Sequence, residues 1–459
     1  MPTKKLTVFP LIFITAALFM TLRNMPAMAE TGMQMFFFNI ITVFVFLIPI
    51  ALVSAELATG WPQNGVFHWV EAAFGKKLGF IAVWLQWIQS IFGITSILAY
   101  VGGSLAYVFD PELGTNKYFV TLVIITVYWL ATLLNFKGTK RSGNISSIAL
   151  IIGVITPSIL LIIGGIVYMI GGGTPHLDYS LTLSNVMPSL ADSHSLLLFL
   201  SFIFGFVGIE VSANHAKEVE NPQKNFPIAL FSAAIIGFIF TLLGGLAVAL
   251  IVPKEQINDI NGASQAFSIL FIKFGIQGFL PFIAFLIALG AAGQVSTWIV
   301  GPVKGVWAAG KSGMLPEQLL KMNKHQVPTQ LLITQACLIT IIGLIFLFFD
   351  NVNNVFLLLT SIAVILYSIM YLIMFIAAIK LRYTHPLTPR AYKVPGGNLG
   401  MWVISGMGSV CAFVCIFIGF IPPQHLPFSN LLYQTILFTL CVFSISIALL
   451  ILKRRTKLL

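Results

Sequence analysis

The 459-residue sequence predicts an all-α integral membrane protein of about twelve transmembrane helices. Three observations carry this. Hydrophobic residues make up 58% of the chain and charged residues 8%, against about 25% charged in a soluble domain. A soluble fold could not hide that much apolar surface. The apolar residues gather in runs of about 20, the length that crosses a bilayer. The formal charge of +11 is scattered over the short segments between the runs, not along one stripe, so it reads as a topology signal and not as a nucleic-acid surface.

In chain order the runs cover residues 7–31, 35–59, 78–108, 118–136, 145–170, 194–217, 227–252, 277–309, 328–349, 354–380, 401–421 and 431–452. The first follows Lys4 and Lys5 and ends near Ala27-Met28-Ala29, an outline that imitates a cleavable signal peptide. Arg23 and Pro26 interrupt the imitation, so the run is expected to stay as the first helix. It is expected to break around Arg23-Asn24-Met25-Pro26, because proline removes a hydrogen bond and clashes with the preceding turn. Glu56 lies late in the second run, where a structural ion pair is expected. Segment 61–77 is amphipathic and is predicted to lie along the inner face.

The sixth run, FLSFIFGFVGIEVSANHAKEVENPQKNFP, is the most informative. Gly205 and Gly208 weaken its helix, and Glu210 stands just past them. An Asp at mid-bilayer costs about 2.5–3.5 kcal/mol on insertion scales, so a carboxylate there faces a cavity, a partner or a ligand. Segment 253–273 is long enough for a lid, and 312–327 (SGMLPEQLLKMNKHQV) reads as a short cytoplasmic helix with Pro316 near its start.

With the N-terminus inside, about 21 of the 25 basic residues fall on the cytoplasmic side. Lys117, Lys254 and Lys273 fall outside, and Arg23 is left in the membrane. Both termini are therefore expected in the cytoplasm. The two broken runs, first and sixth, start five spans apart. An odd offset makes the second set cross in the opposite sense, the mark of an inverted repeat with a substrate site where the breaks meet. The expected units are residues 1–170 and 194–380. Residues 401–459 add two peripheral helices, which pack on the bundle or join two copies, and a short tail.

Other chemistry is not visible. Cys337, Cys411, Cys415 and Cys441 all fall in apolar runs and read as small apolar residues. The seven histidines show no metal spacing, and there is no Walker loop or G-x-S-x-G elbow. No cofactor is expected. Arg23 needs an anion: either a substrate carboxylate, or a permanent partner among Glu30, Glu56 and Glu210. The half-helix after Pro26 offers free N–H groups to a carboxylate. Glu210 reads as a substrate contact, a proton carrier or half of an ion pair. Trp298, Tyr367 and Tyr371 read either as gates or as packing. Phe202 and Phe206, four apart, read as an outer gate.

GFVGIEVSANHAKEVENPQKNFPIAL resembles the sixth-helix signature of the amino acid–polyamine–organocation superfamily. WPQNGVFHWVEAAFG resembles its second-to-third-helix segment, and STWIVGPVKGVWAAGKSGMLPEQLLKMNKHQVP its eighth-helix region. The bacterial glutamate/γ-aminobutyrate antiporter branch is the most similar. The resemblance implies a leucine-transporter-type five-plus-five core in a bacterial inner membrane, alternating access and amino-acid exchange. It implies substrate contacts at the break (Arg23, Asn24, Met25, Pro26, Ala27), at Gln89, at the sixth-helix break (Phe206, Val207, Gly208), and at Glu210, Trp298, Tyr367 and Tyr371. Gln294 stands where that branch carries a glutamate. The sequence stops at Leu459, without the branch's long C-terminal plug, so plug-type pH gating is not expected. The fifth run has no Lys or Arg, which weakens a mechanism in which a lysine replaces sodium there.

The expected function is an amino-acid antiporter for glutamate-like substrates and their decarboxylation products, not an enzyme. A proton-coupled symporter is the alternative within transport, and a transporter-like membrane sensor the alternative outside it.

Overall fold

The computed structural model describes residues 6–62, 65–189, 193–423 and 429–456. Lys4, Lys5 and Lys457, three of the charges used for topology, lie outside the described residues. Helices α1 (Val8–Phe19) and α2 (Met25–Glu30) are the halves of the first crossing. They are followed by α3 (Gln34–Gly60), α4 (Val66–Phe74), α5 (Lys76–Phe109), α6 (Lys117–Asn135), α7 (Gly143–Ile170) and α8 (Leu183–Val186). The sixth crossing opens with α9 (Ser193–Phe204) and continues as the tighter helix Ile209–Glu218. Then come α10 (Pro222–Ile251), α11 (Gly262–Lys273), α12 (Leu280–Ala309), α13 (Thr329–Leu344), α14 (Val352–Thr384), α15 (Gly397–Gly419) and α16 (Asn430–Thr456). Among the described residues eleven helices are long and apolar enough to span a membrane; the broken first crossing makes twelve. The only extended pairings there are two isolated bridges. One of them, Leu6 with Val219, ties the start of the first crossing to the end of the sixth, with Glu220 N–H donating to Leu6 C=O at 2.8 Å.

The centre is set by α5 and α14, whose membrane windows are 83% and 72% buried, against 28% for α16. A helix apolar on every side belongs inside, and its few polar groups then face partners or cavities. Helix α5 fits this description with Gln86, Gln89, Ser90, Thr95 and Ser96 all buried. Side-chain caps start α6 and α14: Asn116 Oδ1 accepts from the N–H groups of Tyr118 and Phe119, and Asn351 Oδ1 from that of Asn353.

Three spans carry a widened π turn just before a proline, one of them at the end of α12, where Gly310–Met314 precedes Pro316. In α3 the turn Val43–Leu47 precedes Pro49, and in α7 the turn Ile151–Ile155 precedes Pro157. In these two helices proline brings no N–H and crowds the carbonyl four residues back, so a wider turn relieves the clash. At the α7 turn, backbone meets backbone: a Cβ on Gly153 would lie 2.3 Å from Gly290 N. Ser146 Oγ also donates to Gly293 C=O at 2.8 Å.

Segment 61–77 is amphipathic as expected, with His68 and Glu71 half-buried and residues 75–77 exposed. Its helix α4 buries Val66, Phe67, Trp69 and Val70 against the bundle. Some expectations need correction. Segment 312–327 forms only the short 3-10 turn Glu317–Leu320, because Pro316 is followed by too few helical residues before Lys321 turns extended. Cys337 is exposed, unlike the buried Cys411, Cys415 and Cys441.

Candidate binding site

The break in the first crossing is built around the end of α1. Met20 N–H closes the last turn on Ala16 C=O, and Met20 itself is extended (ψ 121°). The chain turns through Leu22–Asn24, with Arg23 N–H donating to Thr21 Oγ1 at 3.1 Å. Helix α2 then restarts at Met25 with Pro26 in its first turn, a position where the missing N–H costs nothing. The break is therefore 20–24, overlapping at Arg23 and Asn24 but starting earlier than the Arg23–Pro26 stretch expected from the proline and the Arg23–Ala27 stretch implied by the resemblance. Met25, Pro26 and Ala27 are helical. Met25 packs against Gly244 and Pro26 against Gly262 at the start of α11. Among the described residues the N–H groups of Thr21, Leu22 and Asn24 have no acceptor.

The sixth crossing breaks at Gly205–Gly208, as the two glycines predict. Gly208 has φ +99°, and a Cβ there would lie 2.4 Å from Trp298 Cζ2. Glycine is required on both counts. The Gly208 N–H, freed by the break, donates to Tyr371 Oη at 3.2 Å.

The two breaks face one narrow pocket. Arg23, Asn24, Gln89, Val207, Gln294 and Trp298 line it, together with residues not singled out in the sequence, among them Thr21, Ser90, Gly93 and Phe204. The missed residues do leave a trace. Gln86, Gln89, Ser90, Gly93 and Ser96 recur at helical spacing on α5, a polar or small stripe in an apolar run.

Arg23 is 3% exposed. One of its terminal nitrogens donates to Ser96 Oγ and Thr360 Oγ1, both at 2.8 Å. The guanidinium lies 4.7 Å from the Phe204 ring centre and 4.8 Å from that of Phe356. Among the described residues it has no carboxylate partner. The three glutamates proposed for it are engaged elsewhere. Glu30 meets His194 at 2.7 Å. Glu56 takes two bonds from Arg382, both at 2.6 Å, one from Arg390 at 3.0 Å and one from Val394 N–H at 2.7 Å. Glu210, with no exposure, accepts from Tyr367, from Tyr371 at 2.6 Å and from Gln86 at 3.0 Å.

Glu210, Tyr367 and Tyr371 thus form a nest beside the pocket and are not part of its lining, nor are Phe206 and Gly208. The two tyrosine rings stack with centres 4.7 Å apart, as their spacing of four predicts. Phe202 and Phe206 do not act together. The break falls between them, and Phe202 packs on Phe38 while Phe206 packs on Phe19.

Three buried polar atoms in the lining have no partner: Arg23 Nε, Asn24 Nδ2 and Gln294 Oε1. Buried polar atoms are nearly always paired, so donors and an acceptor left open around one cavity mark a place for a ligand. The first two suit a carboxylate, and the third an ammonium. The Leu18 carbonyl at the end of α1 is already taken, by Trp298 Nε1 at 2.7 Å and Gln294 Nε2 at 3.3 Å.

Residues 6–445 match the amino acid permease family. The chain is 37% identical to an uncharacterized transporter of Legionella pneumophila, over 93% of this chain and 92% of that protein. It is 32% identical to a glutamate/γ-aminobutyrate antiporter of Lactococcus lactis, over 93% and 86% of the two chains. A probable agmatine/putrescine antiporter of the same species is 25% identical, over 86% and 84%.

Proposed function

The chain belongs to the amino acid permease family, and on that premise we propose that it exchanges amino acids across a bacterial inner membrane by alternating access, with both termini cytoplasmic. In this reading the two five-helix units are residues 1–170 and 194–380, and the substrate sits between their broken helices.

The observation that carries the reading is the set of open polar atoms around Arg23. An uncompensated cation away from water is costly; the two aromatic faces and two hydroxyls offset only part of that cost. A substrate carboxylate supplies the missing charge, and the guanidinium plane suits it bidentately. Glutamate and γ-aminobutyrate share one feature that fits. The carboxylate far from the α-carbon of glutamate survives decarboxylation and is the carboxylate of γ-aminobutyrate. A site that holds this group on Arg23 accepts both partners of such an exchange. The α-carboxylate, present in only one of them, falls to the free N–H groups of the break.

Counterflow in proteoliposomes tests this. Arg23→Gln lowers glutamate exchange by about tenfold or more, the loss of one charged hydrogen bond of about 1.5–3 kcal/mol, while a neutral amino acid loses far less. Equal loss for both substrates would make Arg23 a structural cation.

Glu210 supports a second reading, proton-coupled symport, because a buried carboxylate beside the pocket is free to carry a proton. Uptake that requires internal amino acid but no pH gradient speaks for exchange; the converse speaks for symport.

A further inference from the structure

On the side where α2 ends, the molecule opens into a vestibule roomier than the inner pocket. It is separate from the inner pocket but shares a wall with it: Thr360 lines the vestibule, and its hydroxyl is the one that receives Arg23. Glu30, Glu255 and Asp259 face Lys254 and His194 across the vestibule. Two of the carboxylates are accounted for. Glu30 meets His194, and Glu255 is exposed to water beside Lys254.

Asp259 is different. It is 9% exposed, Oδ2 accepts only a long bond from Asn353 Nδ2 (3.3 Å), and Oδ1 has no partner. Slack in the loop does not explain this. Asn258 Oδ1 accepts from the N–H groups of Ile260 and Asn261, and Gly262 N–H donates to Asn258 C=O at 2.8 Å. Ile260 is wedged against Gly103, where a Cβ would lie 2.5 Å from Ile260 Cγ2. A buried carboxylate with one oxygen unpaired is therefore held in the wall of a polar cavity by a fixed turn.

We propose that the vestibule is a second ligand site, in which Asp259 Oδ1 receives the primary ammonium group of a small molecule. An ammonium presents three donors on a compact charge and needs few acceptors. A calcium ion requires six to eight oxygens, and among the described residues no cluster of three or more His, Cys, Asp or Glu could hold a metal. The likeness of this group to the amine end of an exchanged amino acid rests on the antiporter reading; the site itself does not. Burial, then the charge of Glu30, push Asp259 up to about 6, against the Asn353 hydrogen bond and the nearby His194 and Arg23. Glu255 and Lys254 complete the charged groups around it. Asp259 is charged above that pH and neutral below it, so ammonium binding weakens as pH falls through 6.

The test uses radiolabelled 1,4-diaminobutane, which has two ammonium groups and no carboxylate, with the purified full-length protein. At pH 7.5 one diamine binds per chain, and Asp259→Asn weakens it about tenfold or more. Asp259→Glu restores part of the affinity, which separates loss of charge from misfolding. Gln294→Leu, which removes the ammonium acceptor of the inner pocket, leaves the diamine bound, and a shift to pH 5 weakens it as Asp259→Asn does. Unchanged binding in Asp259→Asn overturns the proposal. So does equal loss in Gln294→Leu, which would place the diamine in the inner pocket, or displacement by sodium chloride as effective as by unlabelled diamine. Counterflow of γ-aminobutyrate without diamine binding sinks the vestibule site alone, and diamine binding without any counterflow sinks the antiporter reading alone.

Discussion

At Arg23 a guanidinium is held between two phenyl rings and two hydroxyls with no anion beside it. Its flat shape is as necessary as its charge, because an ammonium cannot fill a slot between Phe204 and Phe356 and reach Ser96 and Thr360 together. Arg23→Lys is therefore expected to behave more like Arg23→Gln than like the parent in glutamate counterflow. Recovery of most activity by lysine would show that charge alone suffices. Beside the pocket, Tyr371 is both donor to Glu210 and acceptor for Gly208 N–H. Tyr371→Phe strands two buried groups at about 1–3 kcal/mol each. It should lower the thermal unfolding midpoint of the detergent-solubilised protein; an unchanged midpoint would mean the nest is dispensable. Arg23 and Glu210 were legible in the sequence because a charge in an apolar run is rare and costly. Tyr367 and Tyr371 were singled out as gates or substrate contacts but not as the partners of Glu210, and Ser96 and Thr360 were not singled out, since they are ordinary residues of apolar helices that become special only when the helices meet.

Among the elements, the broken spans show how far local rules reach. The paired glycines located the sixth-helix break correctly, because a missing side chain acts on the residues that lack it. The proline misplaced the first break by a few residues, because Pro26 serves as a helix start and the chain must unwind before it. Segment 312–327 was misread for a related reason, as its proline opens a turn too short to become an α-helix. At Gly208 two requirements coincide, a left-handed backbone and the Trp298 ring. Gly208→Ala is expected to abolish counterflow, with about 1–2 kcal/mol from the backbone alone and the remainder from the clash. Adding Trp298→Leu relieves only the clash. Partial recovery of folded yield in the double variant is expected, and full recovery would show that the backbone angle is immaterial.

For the whole molecule, the number of spans could be read from the apolar runs, since these answer to the bilayer and not to neighbours. The long-range ties could not. Glu56 near the end of α3 holds Arg382 on α14, Arg390 and the Val394 N–H, and so straps the 385–396 connection onto the bundle. Glu56→Ala leaves two buried arginines without an anion, at about 3–5 kcal/mol. Folded yield should fall sharply, and Arg390→Met in the same chain should recover part of it; no recovery would show that Arg382 alone depends on Glu56. A second tie joins the two broken crossings, where Glu220 N–H meets Leu6 C=O beside the Leu6–Val219 bridge. That tie couples the two broken helices at that end. If they travel together during the proposed exchange, a covalent staple between positions 6 and 219 leaves counterflow intact, and its loss would show that the two ends must part.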